Sequence, residues 1–159
     1  MSNQNYQNTS MSSTNLIPTS LIQNLVDNYR SNQLLAINQD LSIQDSHSVW
    51  FDLPTLKNFV AEIEAQAKLI DLTVKDSDLG IRFYYAAYPA VPQSPVPANY
   101  AKRHTLVMIP TKKLNDLNYD FNPCDNNSVS LAVTGVSIDA LALNHGTLVP
   151  PSTSIVQSY

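Results

Sequence analysis

The hydrophobic and polar positions single out two stretches as strands: Gly80-Ile81-Arg82-Phe83-Tyr84-Tyr85-Ala86-Ala87-Tyr88 and Arg103-His104-Thr105-Leu106-Val107-Met108-Ile109-Pro110-Thr111. Their Ile, Phe, Tyr, Val and Thr suit a pleated, half-buried surface, and turn formers bound both. In the first, Ile81, Phe83, Tyr85 and Ala87 share one face, and Arg82, Tyr84, Ala86 and Tyr88 share the other. In the second, the nearly continuous run Leu106 to Ile109 predicts burial on both faces. Between them, Pro89 to Asn99 holds four prolines, an extended loop that cannot enter a sheet interior. That connection is short for a parallel crossover, so the strands pair antiparallel, with Arg82 and Arg103 at opposite ends, roughly 20 Å apart.

Helical periodicity appears twice. Leu21, Ile22, Leu25, Val26 and Tyr29 recur at helical spacing after Pro18, with Thr19 or Ser20 as the cap. The period slips after Arg30. Leu34 to Ile37 either continue the helix past a kink or form an extended arm, and the helix is favoured. Ser48-Val49-Trp50-Phe51 reads as a short strand, and Asp52 is placed to cap a helix with Pro54 in its first turn. From Leu53 to Ile70, the stripe Leu56, Phe59, Val60, Ile63, Ala67 and Ile70 must cover a sheet face.

After Pro110 the chain reads as polar turns through Asn115 to Asp120 and again from Asn122 to Asn127. Val129, Leu131 and Val133 alternate as a strand, and Ile138 to Leu143 is another. Asn144-His145-Gly146 is expected to be a hairpin loop with Gly left-handed, returning Thr147 to Val149 antiparallel until Pro150-Pro151. Residues 1–17 are a polar tail expected to be flexible, 18–151 one domain, and 152–159 a loose C-terminus. The fold class is α+β: a small, mainly antiparallel sheet of about 4–6 strands covered by two helices. A βαβ crossover from Ser48–Asp52 to Gly80–Tyr88 is one topology the order allows.

Composition narrows this further. A chain of 159 residues is the usual size of one domain. Only 14% of it is charged, against a typical value of about 25%, and Glu62 and Glu64 are the sole glutamates, so a helical bundle is disfavoured. The net charge of −4 and pI near 5.1 argue against nucleic acid as a partner. A single cysteine, Cys124, excludes an intrachain disulfide and fits a reducing compartment. With neither a basic segment leading into an apolar run nor an apolar stretch of about 18 residues, a cytoplasmic protein that does not engage membranes is expected.

Asp45-Ser46 precedes Ser48-Val49-Trp50-Phe51; Gly80-Ile81-Arg82 follows with Tyr84 and Tyr88-Pro89, then Tyr100, Arg103, Thr105 and Pro110-Thr111, then Leu143-Asn144-His145-Gly146 with Pro150-Pro151. This order of blocks resembles a family of small uncharacterised bacterial proteins, over roughly Asp45 to Pro151. The resemblance implies no activity and no residue roles.

Two clusters are candidates for chemistry. A crossover would set Asp45 and His47 near Arg82 and Tyr84, with Thr111, Lys112 and Lys113 at the same edge. Arg82 as an anion fork and His47 as a proton carrier would hold a carboxylate or phosphate. The plainer alternative is an Asp45–Arg82 surface pair beside a solvated His47. At the opposite edge, Tyr88, Tyr100, Arg103 and His104, with Asp52, would form a partner-binding surface under the proline loop, or Arg103 would simply stack on Tyr88 or Tyr100.

Other chemistry finds less support. Cys124 has no neighbouring base and reads as an ordinary loop thiol. Ser46-His47-Ser48 points to opposite faces, the three histidines lack ligand spacing, and Gly80, Gly135 and Gly146 are isolated, so no triad, metal, phosphate loop or cofactor is expected. The leading expectation is a non-catalytic interaction or assembly protein whose partner is a protein or a second copy, with the proline loop and tail as contacts. The alternative is a small enzyme or anionic-ligand-binding protein using Asp45, His47 and Arg82.

Overall fold

Pro18, not Thr19 or Ser20, caps the first helix: its carbonyl accepts from the Leu21 and Ile22 amides at 3.0 and 3.2 Å. The computed structural model describes residues 16–124 and 139–152. The expectations for the tail before Leu16, the Val129–Val133 strand and the last seven residues fall outside the described residues. Helix α1 (Thr19–Tyr29) passes through a π-helical turn (Arg30–Leu34) into α2 (Leu35–Leu41). The π turn sits where the sequence period slips. Its i→i+5 repeat absorbs the extra residue and keeps the helix continuous while Leu34 turns inward to burial. Ser42, left-handed at φ 50°, ends the helix.

Strand β1 (Ser48–Trp50) leads to α3 (Leu53–Ile70), where Asp52 caps as expected, accepting from the Thr55 amide at 2.8 Å and hydroxyl at 2.7 Å. Those two bonds hold the Asp52 carboxyl below its ordinary range. Phe59, Ile63 and Ala67 are buried, Leu56 and Ile70 half-buried, and Val60 lies at the exposed margin of the stripe. Phe59 and Ile63 pack with Met108 beneath Leu79 and Ile81, and Ala67 packs with Val74 and Phe121. The helix therefore covers one face of a three-stranded meander, β2 (Leu79–Ala87), β3 (His104–Leu114) and β4 (Leu117–Asp120).

The β2–β3 pairing is antiparallel with Arg82 opposite Ile109 and Ala87 opposite His104, so Arg82 and Arg103 do lie at opposite ends. The polar stretch after Pro110 is a correction: β3 runs on to Leu114, and Asn115-Asp116, with φ 50° and 62°, makes the tight turn into β4. β5 (Thr147–Val149) pairs antiparallel with β1 in a second, two-stranded sheet. This overturns the βαβ crossover, because β1 and β2 share no sheet. It also overturns the hairpin at Asn144-His145-Gly146. Leu143 instead bridges Met108 on β3, through bonds of 2.8 and 3.0 Å, and His145, not Gly146, takes positive φ. Gly146 is needed for space: a Cβ there would lie 2.6 Å from the Phe51 ring and overlap Val49. Among the described residues, no helix is long and apolar enough to cross a membrane.

Ile63→Ala, in the centre of the core, is expected to lower stability by about 2–5 kcal/mol by denaturant midpoint, whereas Leu72→Ala, at a side chain 90% exposed, changes it by less than about 0.5 kcal/mol.

Candidate functional site

The residues singled out in sequence are regrouped by the fold. Asp45 is fully buried and meets His104, its carboxylate accepting from the Ser46 amide at 2.8 Å, the His104 amide at 2.7 Å and the His104 Nδ1–H. A carboxylate can only accept, so the imidazole proton is held on Nδ1. The same segment is stitched on both sides. Ser46 Oγ donates to the His104 carbonyl at 2.5 Å, Arg103 donates to the Gln44 carbonyl, and Asn38 Oδ1, near the end of α2, accepts from the Asp45 amide at 2.8 Å.

Arg82 lies at the other end of β2. Its guanidinium donates to Asp120 at 2.5 Å and to the Asn118 carbonyl at 2.8 Å, while Tyr84 donates to the second Asp120 oxygen at 2.5 Å. The Tyr84 contact first, and the Asp120 charge after it, stabilise the charged guanidinium and raise its pKa. The anion fork is therefore already occupied by a carboxylate of this chain. The expected Asp45–Arg82 neighbourhood is overturned, and His47 joins neither group; it heads β1, its amide donating to Val149 at 2.6 Å. Arg82 and Tyr84 do act together, with Asp120 as the partner that reading β4 as a loop concealed. Lys112 reaches Asp71 at 3.0 Å instead.

The second cluster is divided as well. Tyr88 and Tyr100 meet with ring centroids 5.7 Å apart, beside a pocket of about 290 Å³ lined by Pro95, Val96, Pro97 and His145. Tyr88 donates to Asn144 Oδ1 at 2.6 Å, and Tyr100 Oη accepts the Leu148 amide at 3.1 Å. Arg103 does not stack on either ring. It donates to the carbonyl of Asn99, at the end of the proline loop, and to that of Gln44, while His104 faces Asp45. Asp52 is engaged with Thr55.

What sequence reasoning missed is the wall opposite His104. Leu25, Tyr29 and Ile37 of the first helix face Tyr85 and His104 across a groove of about 480 Å³. Burial first, then the charge of Asp45 and the proximity of Tyr85, push the Tyr29 phenol up, so it stays a neutral donor. Tyr29 was legible as the end of an apolar stripe, but its juxtaposition with β2 is tertiary. Comparison with protein-family models, with curated proteins and with solved structures finds no match, so function is read from this geometry.

Asp45→Ala strips a fully buried ring of donors of its acceptor and is expected to cost about 3 kcal/mol or more in chemical denaturation. Asp45→Asn is milder and diagnostic. The Ser46 and His104 amides keep the Asn oxygen facing them, the NH2 then meets Nδ1, and the proton moves to Nε2, a tautomer change read by ¹⁵N NMR.

A separate pH effect comes from Asp71. Hydrogen bonds from Thr73 first, then Lys112, bring its carboxyl down from 3.8 to about 2. A carboxyl depressed on folding adds stability that is complete above its unfolded pKa and is lost as pH falls toward 2. Asp71→Asn should therefore flatten the drop in denaturant midpoint between pH 3.8 and about 2.

Proposed function

We propose that this chain is a non-catalytic interaction or assembly protein, and that its contact surface is the first helix together with the outer edge of β2. The observation that carries this reading is how little the helix buries. From Thr19 to Leu41 only Leu34 is buried, while Leu21, Leu25, Leu35 and Leu41 are exposed. An amphipathic helix takes most of its stability from burying its apolar stripe, so a stripe left in water marks a surface that a partner covers.

β2 adds to that surface. Among the described residues it is paired on one side only, with β3, and Phe83 and Tyr85 on it are 53% and 90% exposed. Edge strands are normally guarded by charge. This one carries only Arg82, whose charge Asp120 already matches. Aromatic side chains of this kind concentrate binding energy at protein interfaces. A protein partner or a second copy fits such a surface, whereas the occupied Arg82 fork gives an anionic ligand no free cation there. The exposed thiol of Cys124 suits a reducing, cytoplasmic setting, and the block resemblance suits a bacterial one.

Sedimentation from micromolar to near-millimolar concentration, with partner capture from lysate, tests this. Association is expected, and the combined Leu21→Glu and Phe83→Lys substitutions, both at exposed side chains, should weaken it about tenfold or more, roughly 1.4 kcal/mol. A chain that stays monomeric throughout and recovers no partner would remove the reading.

A further inference from the structure

The inner edge of His104 holds Asp45, and assembly makes no use of its outer edge. The Nδ1 edge of the imidazole faces a carboxylate buried to 0% exposure, yet 35% of the His104 side chain is exposed. The exposed part is therefore the opposite edge, bearing Nε2, and His104 forms part of the groove wall. In the neutral ring, whose proton faces Asp45 on Nδ1, it is the Nε2 lone pair that faces the groove, and no group among the described residues donates to it.

The remaining wall selects the occupant. Leu25 and Ile37 are apolar, Tyr29 and Tyr85 offer ring surface, and Asn28 and Gln33 supply amides. No lysine or arginine lines the groove, and the Asp45 charge stands directly behind His104. Arg103, the adjacent cation in sequence, is committed to the Asn99 and Gln44 carbonyls. An anion would thus meet negative charge with no counter-ion, whereas a neutral donor meets an oriented acceptor. The groove volume of about 480 Å³ lies within the usual range for small-molecule sites.

We propose that this groove binds an uncharged aromatic alcohol, of the phenol or naphthol class, whose O–H donates to His104 Nε2 while its ring lies against Tyr29 and Tyr85. Where the proton transfers fully, only the O–H bond breaks: its electron pair stays on the ligand oxygen, and Asp45 stabilises the imidazolium formed. This reverses the ligand charge expected for Asp45 from sequence. The groove shares Leu25 and Tyr85 with the proposed contact surface, but what selects the ligand is His104 at its floor, so binding and assembly are read by separate experiments.

Three matched probes test it on the full chain at neutral pH by calorimetry, with ¹⁵N NMR of the His104 ring. 2-Naphthol should bind saturably, shift the Nε2 resonance, and bind about tenfold or more tightly than 2-methoxynaphthalene, which lacks the donor, or 2-naphthoate, which is an anion. His104→Phe, which keeps a ring but has no acceptor, should abolish the preference for naphthol over its methyl ether. Gln33→Trp fills the groove from an exposed helix position while leaving Asp45 and His104 themselves unchanged, and should weaken naphthol binding by a similar factor. No saturable naphthol binding, equal affinity for the ether, tighter binding of naphthoate, a preference that survives His104→Phe, or undiminished binding by Gln33→Trp would each overturn the proposal.

Discussion

A fully buried carboxylate fixes this fold. Removing Asp45 from water costs several kcal/mol unless its oxygens are fully engaged. Two backbone amides and an imidazole engage them, and all three donors come from Ser46 and His104. Because two of the three donors are backbone amides, the segment that bears Asp45 has one place to sit, against the start of β3. Everything on either side inherits that placement. Asn38 ties the end of the first helix to it, and one residue beyond Ser46 the His47 amide joins Val149, so β1 is delivered to β5 rather than to β2.

The sheet separates charges that an acidic, weakly charged sequence seemed to offer to a common ligand. At one end, Arg82 and Tyr84 are consumed by Asp120; at the other, Asp45 is consumed by His104. Each pairing leaves something over, and the remainders differ. Around Arg82 no charge is left to recruit an anion, while around Asp45 the outer edge of an oriented imidazole faces a groove walled by tyrosines. Between the two lies β2, open on its outer side among the described residues and bearing aromatic rings into solvent. A surface of that kind suits contact with another chain, and the groove at its far end suits a small neutral molecule. The two use different chemistry on ground that shares Leu25 and Tyr85.

By itself the sequence determined what depends on short-range pattern. The α3 stripe and its Asp52 cap, the two long strands, the proline loop between them and the antiparallel pairing were legible, because periodicity, capping and loop length act between residues close in the chain. The slip after Arg30 was legible as an irregularity, and the π turn is its physical form. Even the Asn115-Asp116 hairpin was readable in principle, since both residues tolerate positive φ; a run of polar residues around it masked the strand. Tertiary structure alone decided the rest. Asp45 and His104 lie 59 residues apart, and no spacing rule links them. Their meeting required β1, too short to form a sheet by itself, to choose between β2 and β5. That choice followed from burying one charge with its donors and one glycine against Val49 and Phe51, energies that exist only once the elements are packed.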